Sequence, residues 1–115
     1  MRRGEIWLVD LEPALGSEAD KRRPAVIVSN NGANAAATQL RRGMITVVPL
    51  TSNTSRVLPF QVLLGRGVTG LKGDSKAQAE QVWSVAYERI GQRLGYIPGP
   101  ILKQIDEALR RHLHL

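Results

Sequence analysis

Residues 21–31 read "KRRPAVIVSNN". Three cations and a proline stand directly in front of a short run rich in Val and Ile. The run Ala25 to Val28 reads as a strand that seeks burial. Pro24 suits the first position of such a strand, where its missing N–H disturbs the ladder least. The cations at 21–23 must then sit at the edge of whatever the strand helps to build. They form either an idle solvated edge or a place for a phosphate.

Outward from this strand, the apolar segments are short and closely spaced. Glu5–Leu11, Pro24–Asn30, Met44–Leu50, Pro59–Leu64 and Ala77–Val85 are strand candidates rich in Val, Ile and Leu. "PFQVLL" alternates at Phe60, Val62 and Leu64, as a half-buried strand should. Pro49 marks an edge or a strand end. From Pro100 onward the period changes. Ile101, Leu102, Ile105, Ala108, Leu109 and Leu113 fall on one face at helical spacing, with Pro100 suited to the first position and Arg110 and Arg111 complementing the dipole. The expectation is a mainly β protein with one C-terminal amphipathic helix on a small, strongly bent sheet or barrel. At 115 residues the chain has room for one core, so residues 1–115 form one domain. Two connections stand out: a long loop from Leu11 to Arg23, and "TSNTS" at 51–55, whose small polar residues by themselves read as a solvated turn.

Composition excludes several classes. Apolar residues make up 43%, too many for a disordered chain. There are no cysteines, so disulfides and thiolate metal sites are excluded, which fits a reducing cytoplasm. No stretch approaches the ~20 apolar residues of a membrane helix, and "MRRGEIWLVD" has no apolar core of a signal peptide behind its arginines. The formal net charge of +6 favours polyanions as partners. Residues 1–60 and 61–115 each contribute +3, so a basic patch must be assembled by folding. His112 and His114 lie in the last four residues with no nearby carboxylate, which argues against a metal site or a two-histidine nuclease. "GRGVTG" at 65–70 matches G-x-G-x-x-G, but Lys72-Gly73-Asp74 breaks any following helix, so it reads as a hairpin connection. Arg2-Arg3 and Arg41-Arg42 read as solvated faces that add background charge. Trp7, in mid-strand, reads as core, whereas Trp83 among Glu80, Gln81 and Ser84 is open to base stacking.

Several parts converge on the mouth of the second strand. "GSEADKRRP" supplies Glu18 and Arg23, and "PLTSN" supplies Thr51, Ser52 and Asn53 at the end of the third strand. In a compact barrel these two loop ends can meet. The ordered set "RGEIWLVDLEPALGSEADKRRPAVIVS", "VVPLTSN", "PFQVLL" and "AQAEQVWSVAYERIG" resembles the MazF/PemK family of toxins, from Arg3 to about Leu109. The resemblance implies a small SH3-like barrel of the CcdB/MazF type with a C-terminal helix, usually a homodimer. It implies a sequence-specific endoribonuclease that cuts single-stranded RNA with no metal and no cofactor. It further implies a cognate antitoxin with an acidic, partly disordered segment, and no membrane partner.

Carried over by position, the resemblance puts the catalytic arginine on Arg23 and the catalytic threonine on Thr51. Ser17 and Glu18, and more loosely Ser52 and Asn53, match positions implicated in substrate handling, and Gln81 in "AEQV" matches a glutamine placed near RNA. The residue types suit the chemistry. An RNA 2′-hydroxyl can attack the adjacent phosphorus itself, leaving a 2′,3′-cyclic phosphate and a 5′-hydroxyl. The guanidinium of Arg23 matches phosphate geometry but is a poor proton acceptor, with a pKa above ~12. Glu18 is therefore the expected base, Arg23 the stabiliser of the phosphorane, and Thr51 a donor to a non-bridging oxygen. Two other readings stay open: a non-catalytic toxin that poisons DNA gyrase, as the related CcdB toxins do, and a plain nucleic-acid-binding barrel.

Overall fold

The structure is a computed structural model that describes residues 1–11 and 22–115. The expected loop from Leu11 to Arg23 lies largely outside these residues, and its last two positions, Arg22 and Arg23, already belong to a strand.

Seven antiparallel strands form one sheet. β1 (Glu5–Asp10) lies between β2 (Arg22–Ile27) and β7 (Ile90–Tyr96). β3 (Met44–Thr51) holds β2 along one edge through Val47–Pro49. Along its other edge it carries two strands in succession. β6 (Trp83–Ala86) pairs with Met44–Val47, and β5 (Ser75–Gln78) pairs with Leu50 and Thr51. β4 (Gln61–Leu64) completes the sheet beyond β5. The stretch expected as one strand over Ala77–Val85 is thus two, separated by a 3-10 turn at Ala79–Gln81. The turn inserts three residues where β3 changes partners, so the sheet bends there. No ladder joins β4 to β7 among the described residues, and the sheet is open.

The run Ala25–Ile27 is buried on both faces. Val26 and Val48 face one core with Ile6, Leu50, Val62, Leu64 and Ile105. Ala25, Ile27 and Val47 face a second with Val9, Ile45, Val85 and Ala37. Two covers make this possible. The first is the expected C-terminal helix, α3 (Gly99–Leu113), which buries Ile105 and Ala108. Arg3 ties α3 to the sheet by an ion pair with Asp106 and a 2.9 Å hydrogen bond to the Val28 carbonyl.

The second cover was not foreseen. α1 (Asn31–Leu40, "NGANAAATQL") shows no apolar period, yet its alanines are the best helix formers, and the Asn30 side chain caps it by accepting the Ala33 N–H at 2.8 Å. It is anchored by a polar residue. Asn34 is fully buried, donates to the Ser29 carbonyl at 2.9 Å and accepts from the Ser29 hydroxyl, which in turn accepts the Thr46 N–H at 3.2 Å.

"GRGVTG" does connect a hairpin, β4 to β5, and contains one helical turn, α2 (Arg66–Thr69). This turn seats against β7 at Gly95. A Cβ there would press into the Thr69 carbonyl oxygen, so the close approach requires glycine.

Candidate active site

The β2–β3 ladder stops at Ala25↔Pro49. Pro24 and Pro49 have no N–H to donate, so the strands part beyond this pair. Carried two positions further, the same register sets Arg23 opposite Thr51. The fork between them is a cleft of about 200 Å3 lined by Arg23, Pro24, Leu50, Thr51, Ser52 and Ser75. The two residues that sequence placed 28 positions apart therefore share one concavity.

Arg23 sits on β2 paired with Val9 of β1 and is half-buried. Its guanidinium has no hydrogen-bond or ion-pair partner among the described residues and is the sole charged group among the described residues of the cleft lining. A permanent cation held at the mouth of a small cleft is able to pair with an anion. Thr51 closes β3. Its Oγ1 accepts the Asn53 N–H at 3.3 Å, which leaves the hydroxyl proton for a ligand.

The "TSNTS" loop is more ordered than its composition suggests. Asn53 Oδ1 accepts from the Ser55 N–H at 3.3 Å and the Ser55 hydroxyl at 2.8 Å. Asn53 thus shapes the loop and does not line the cleft. Ser52 does line it. Gln81 is exposed at the end of the 3-10 turn and is not part of the lining. Ser17 and Glu18 lie outside the described residues. Trp7 packs against the second core, with its indole N–H donating to Glu5 at 3.1 Å, whereas Trp83 is 40% exposed.

Sequence reasoning missed Ser75, which is 7% exposed on β5 and faces the cleft from the third side. The signal was present in "SKAQA", where small residues at 75, 77 and 79 alternate inward. It also missed Lys76, the cross-strand partner of Thr51, whose ammonium donates to the Arg56 carbonyl at 2.5 Å and pins the loop that carries Ser52. Among the described residues no three His, Cys, Asp or Glu side chains group as metal ligands would.

This fold is that of a class of small toxins. The sequence model for PemK-like, MazF-like toxins of type II toxin-antitoxin systems matches residues 2–113, and the chain belongs to that family. Among its relatives, Endoribonuclease MazF9 of Mycobacterium tuberculosis is 61% identical over 115 residues, covering 100% of this chain and 98% of that one. Endoribonuclease MazF2 of Mycobacterium bovis is 31% identical over 114 residues, 98% of this chain and 96% of that protein. A mycobacterial endoribonuclease solved in complex with its cognate antitoxin superposes with a TM-score of 0.77 at 25% identity, over 100% of this chain and 96% of that one. MazF from Deinococcus radiodurans, at 24% identity, shares the fold with a TM-score of 0.79 over 100% and 97% of the two chains.

Proposed function

We propose that this chain is the endoribonuclease toxin of a type II toxin-antitoxin pair and cuts single-stranded RNA at the Arg23–Thr51 cleft. The observation that carries the reading is the fork itself. An unpaired guanidinium and a hydroxyl with a free proton flank one cleft at the end of the β2–β3 ladder, in a chain 61% identical to Endoribonuclease MazF9.

The reaction needs no nucleophile from the protein. The 2′-oxygen bonds to phosphorus, the bond from phosphorus to the 5′ oxygen breaks, and the departing 5′ oxygen takes up a proton. Arg23 stabilises charge on the phosphoryl oxygens and Thr51 donates to one of them. Both are fixed to β-strands, so little reorganisation accompanies the reaction. Glu18 accepts the 2′ proton. Ser17, Ser52, Asn53 and Gln81 bear on RNA handling, Ser52 at the cleft and Asn53 through the loop it shapes. No metal or cofactor takes part.

The same reading takes the bent sheet, with α3 across one face, as an SH3-like barrel. The toxin works as a homodimer in the cytoplasm, held inactive by an antitoxin whose acidic segment complements the net charge of +6. The gyrase-poison reading is not favoured, because the full-length relatives are endoribonucleases.

The test is RNA cleavage in excess EDTA by the wild type, Arg23→Ala and Thr51→Ala. Discrete cuts ending in cyclic phosphate are expected, with losses of about 10²–10³ in rate for Arg23→Ala, on the scale of one oxyanion donor. RNA left intact by folded, antitoxin-free wild type would overturn the reading.

A further inference from the structure

We propose that the cavity adjoining the cleft is a subsite for one unpaired nucleobase beside the scissile phosphate, an inference that rests on the ribonuclease reading above. The cavity has a volume of about 310 Å3 and shares Pro24, Ser52 and Ser75 with the Arg23–Thr51 cleft. A nucleotide whose phosphate lies against Arg23 has the cavity directly within reach of its base. Volume and lining both fit. Small-ligand sites begin at about 300 Å3 and combine apolar walls with a few polar groups. Here the walls are Leu71, Leu94 and Pro24, and Ser52 and Ser75 lie where the cavity meets the Arg23–Thr51 cleft.

The charged groups at the rim divide their work. Asp74 is committed to the loop, since its Oδ1 accepts the Arg66 N–H at 3.0 Å. Lys72 has no hydrogen-bond or ion-pair partner among the described residues and is exposed at the rim, free for a base carbonyl or the next phosphate. Apolar walls with a cation above them suit a flat aromatic base on a charged backbone. An acidic peptide offers the wrong group to such walls.

The subsite is also preformed. The Leu71 N–H donates to Thr69 Oγ1 at 3.1 Å, and Thr69, 3% exposed, is seated on Gly95 of β7. The wall carrying Leu71 is therefore held against the strand carrying Leu94. "GRGVTG" thus supports the pocket from behind, through the Thr69 hydroxyl that holds Leu71, the residue after it.

Gly73 offers the test. Gly73 lines the cavity and a Cβ added there meets nothing within 4 Å, so Gly73→Leu sets a bulky side chain at the cavity without displacing its neighbours. Leu71→Ala, which widens it, is the second variant, and thermal melts check that both fold. The probe is a single-stranded RNA made uncleavable by 2′-deoxy substitution, with each base in turn replaced by an abasic site. In wild type, one position beside the cut is expected to lose about tenfold to hundredfold in affinity when abasic, the scale of one stacked base. In Gly73→Leu the intact RNA should bind as weakly as that abasic RNA does to wild type, with the penalty at that position gone and the others kept. In Leu71→Ala the penalty should shrink.

If wild type binds and cuts RNA but the penalty persists unchanged in both variants, the subsite is refuted and the ribonuclease stands. If the variants abolish the penalty but no RNA is ever cut, the ribonuclease falls, and with it a subsite beside a scissile phosphate, and the cavity is a base pocket of an RNA binder. Failure of wild type to bind single-stranded RNA overturns both.

Discussion

Gly95→Ala puts one methyl group where a backbone carbonyl already lies. The added Cβ meets the Thr69 carbonyl oxygen on one side and Ile6 Cδ1 at 4.0 Å on the other. The Thr69 oxygen belongs to backbone, so it cannot rotate away as a side-chain tip would. Either β7 or the turn of α2 must move. Overpacking of this kind costs about 1–3 kcal/mol, and a backbone obstacle places it near the top of that range. The alanine also narrows the unfolded ensemble, which returns roughly 0.4–1 kcal/mol. The net expectation is a loss of about 2 kcal/mol. For a chain of this size that corresponds to a drop in Tm of roughly 8 °C, read by circular dichroism. The functional consequence follows from place: Leu71 shifts while Arg23 and Thr51 do not, so KM for RNA should rise with kcat at saturation largely kept. A variant that melts within about 2 °C of wild type would refute the reasoning, because the contact would then be relieved without cost and the pocket wall would not depend on it.

Two further perturbations probe the frame. Asn34→Ala removes the donor to the Ser29 carbonyl and the acceptor of the Ser29 hydroxyl in a fully buried setting, so urea unfolding should show a loss of about 1–3 kcal/mol; a loss below about 0.5 kcal/mol would show that α1 is not anchored there. At Glu5, burial pushes the carboxyl up, but hydrogen bonds from the Arg2 N–H and the Trp7 indole, with the positive amino terminus and Arg93, outweigh it and hold the pKa below its ordinary value of 4.5. A folded pKa below the unfolded one stabilises the native state above the unfolded pKa and loses that contribution as pH falls through the folded pKa. Glu5→Gln should therefore lower Tm at pH 6–7, with the gap from wild type closing below pH 4.5; a gap that stays constant across a melt series would contradict the assignment.

Some of this protein is decided by sequence alone. The run "PAVIVS" needs cover on both faces whatever surrounds it, and the 3.6-residue period from Ile101 to Leu109 supplies one cover directly. Those are local rules of periodicity and burial, and β1, β2, β3, β4 and α3 follow from them. The second cover was hidden because α1 is anchored by Asn34 and Ala37, residues that carry no apolar period; its place depends on partners in β2 and β3. β7 was hidden likewise, since "IGQRLGY" gains its strand character from pairing with β1 and from the space its glycines leave for other backbone.

The site divides the same way. The chemistry was legible in the types of residue, a permanent cation after a long loop and a hydroxyl at a strand end. That Arg23 and Thr51 meet is a matter of register between β2 and β3, and the fork opens because two prolines end the ladder there. Ser75 joins Arg23 and Thr51 from β5, and the stretch before it, with Lys72, meets Leu94 of β7 at the adjoining cavity. Sequence sets what each segment can be. Only the pairing of strands far apart in the chain sets which side chains share a cleft, because hydrogen-bond register is a property of two segments and is written in neither one.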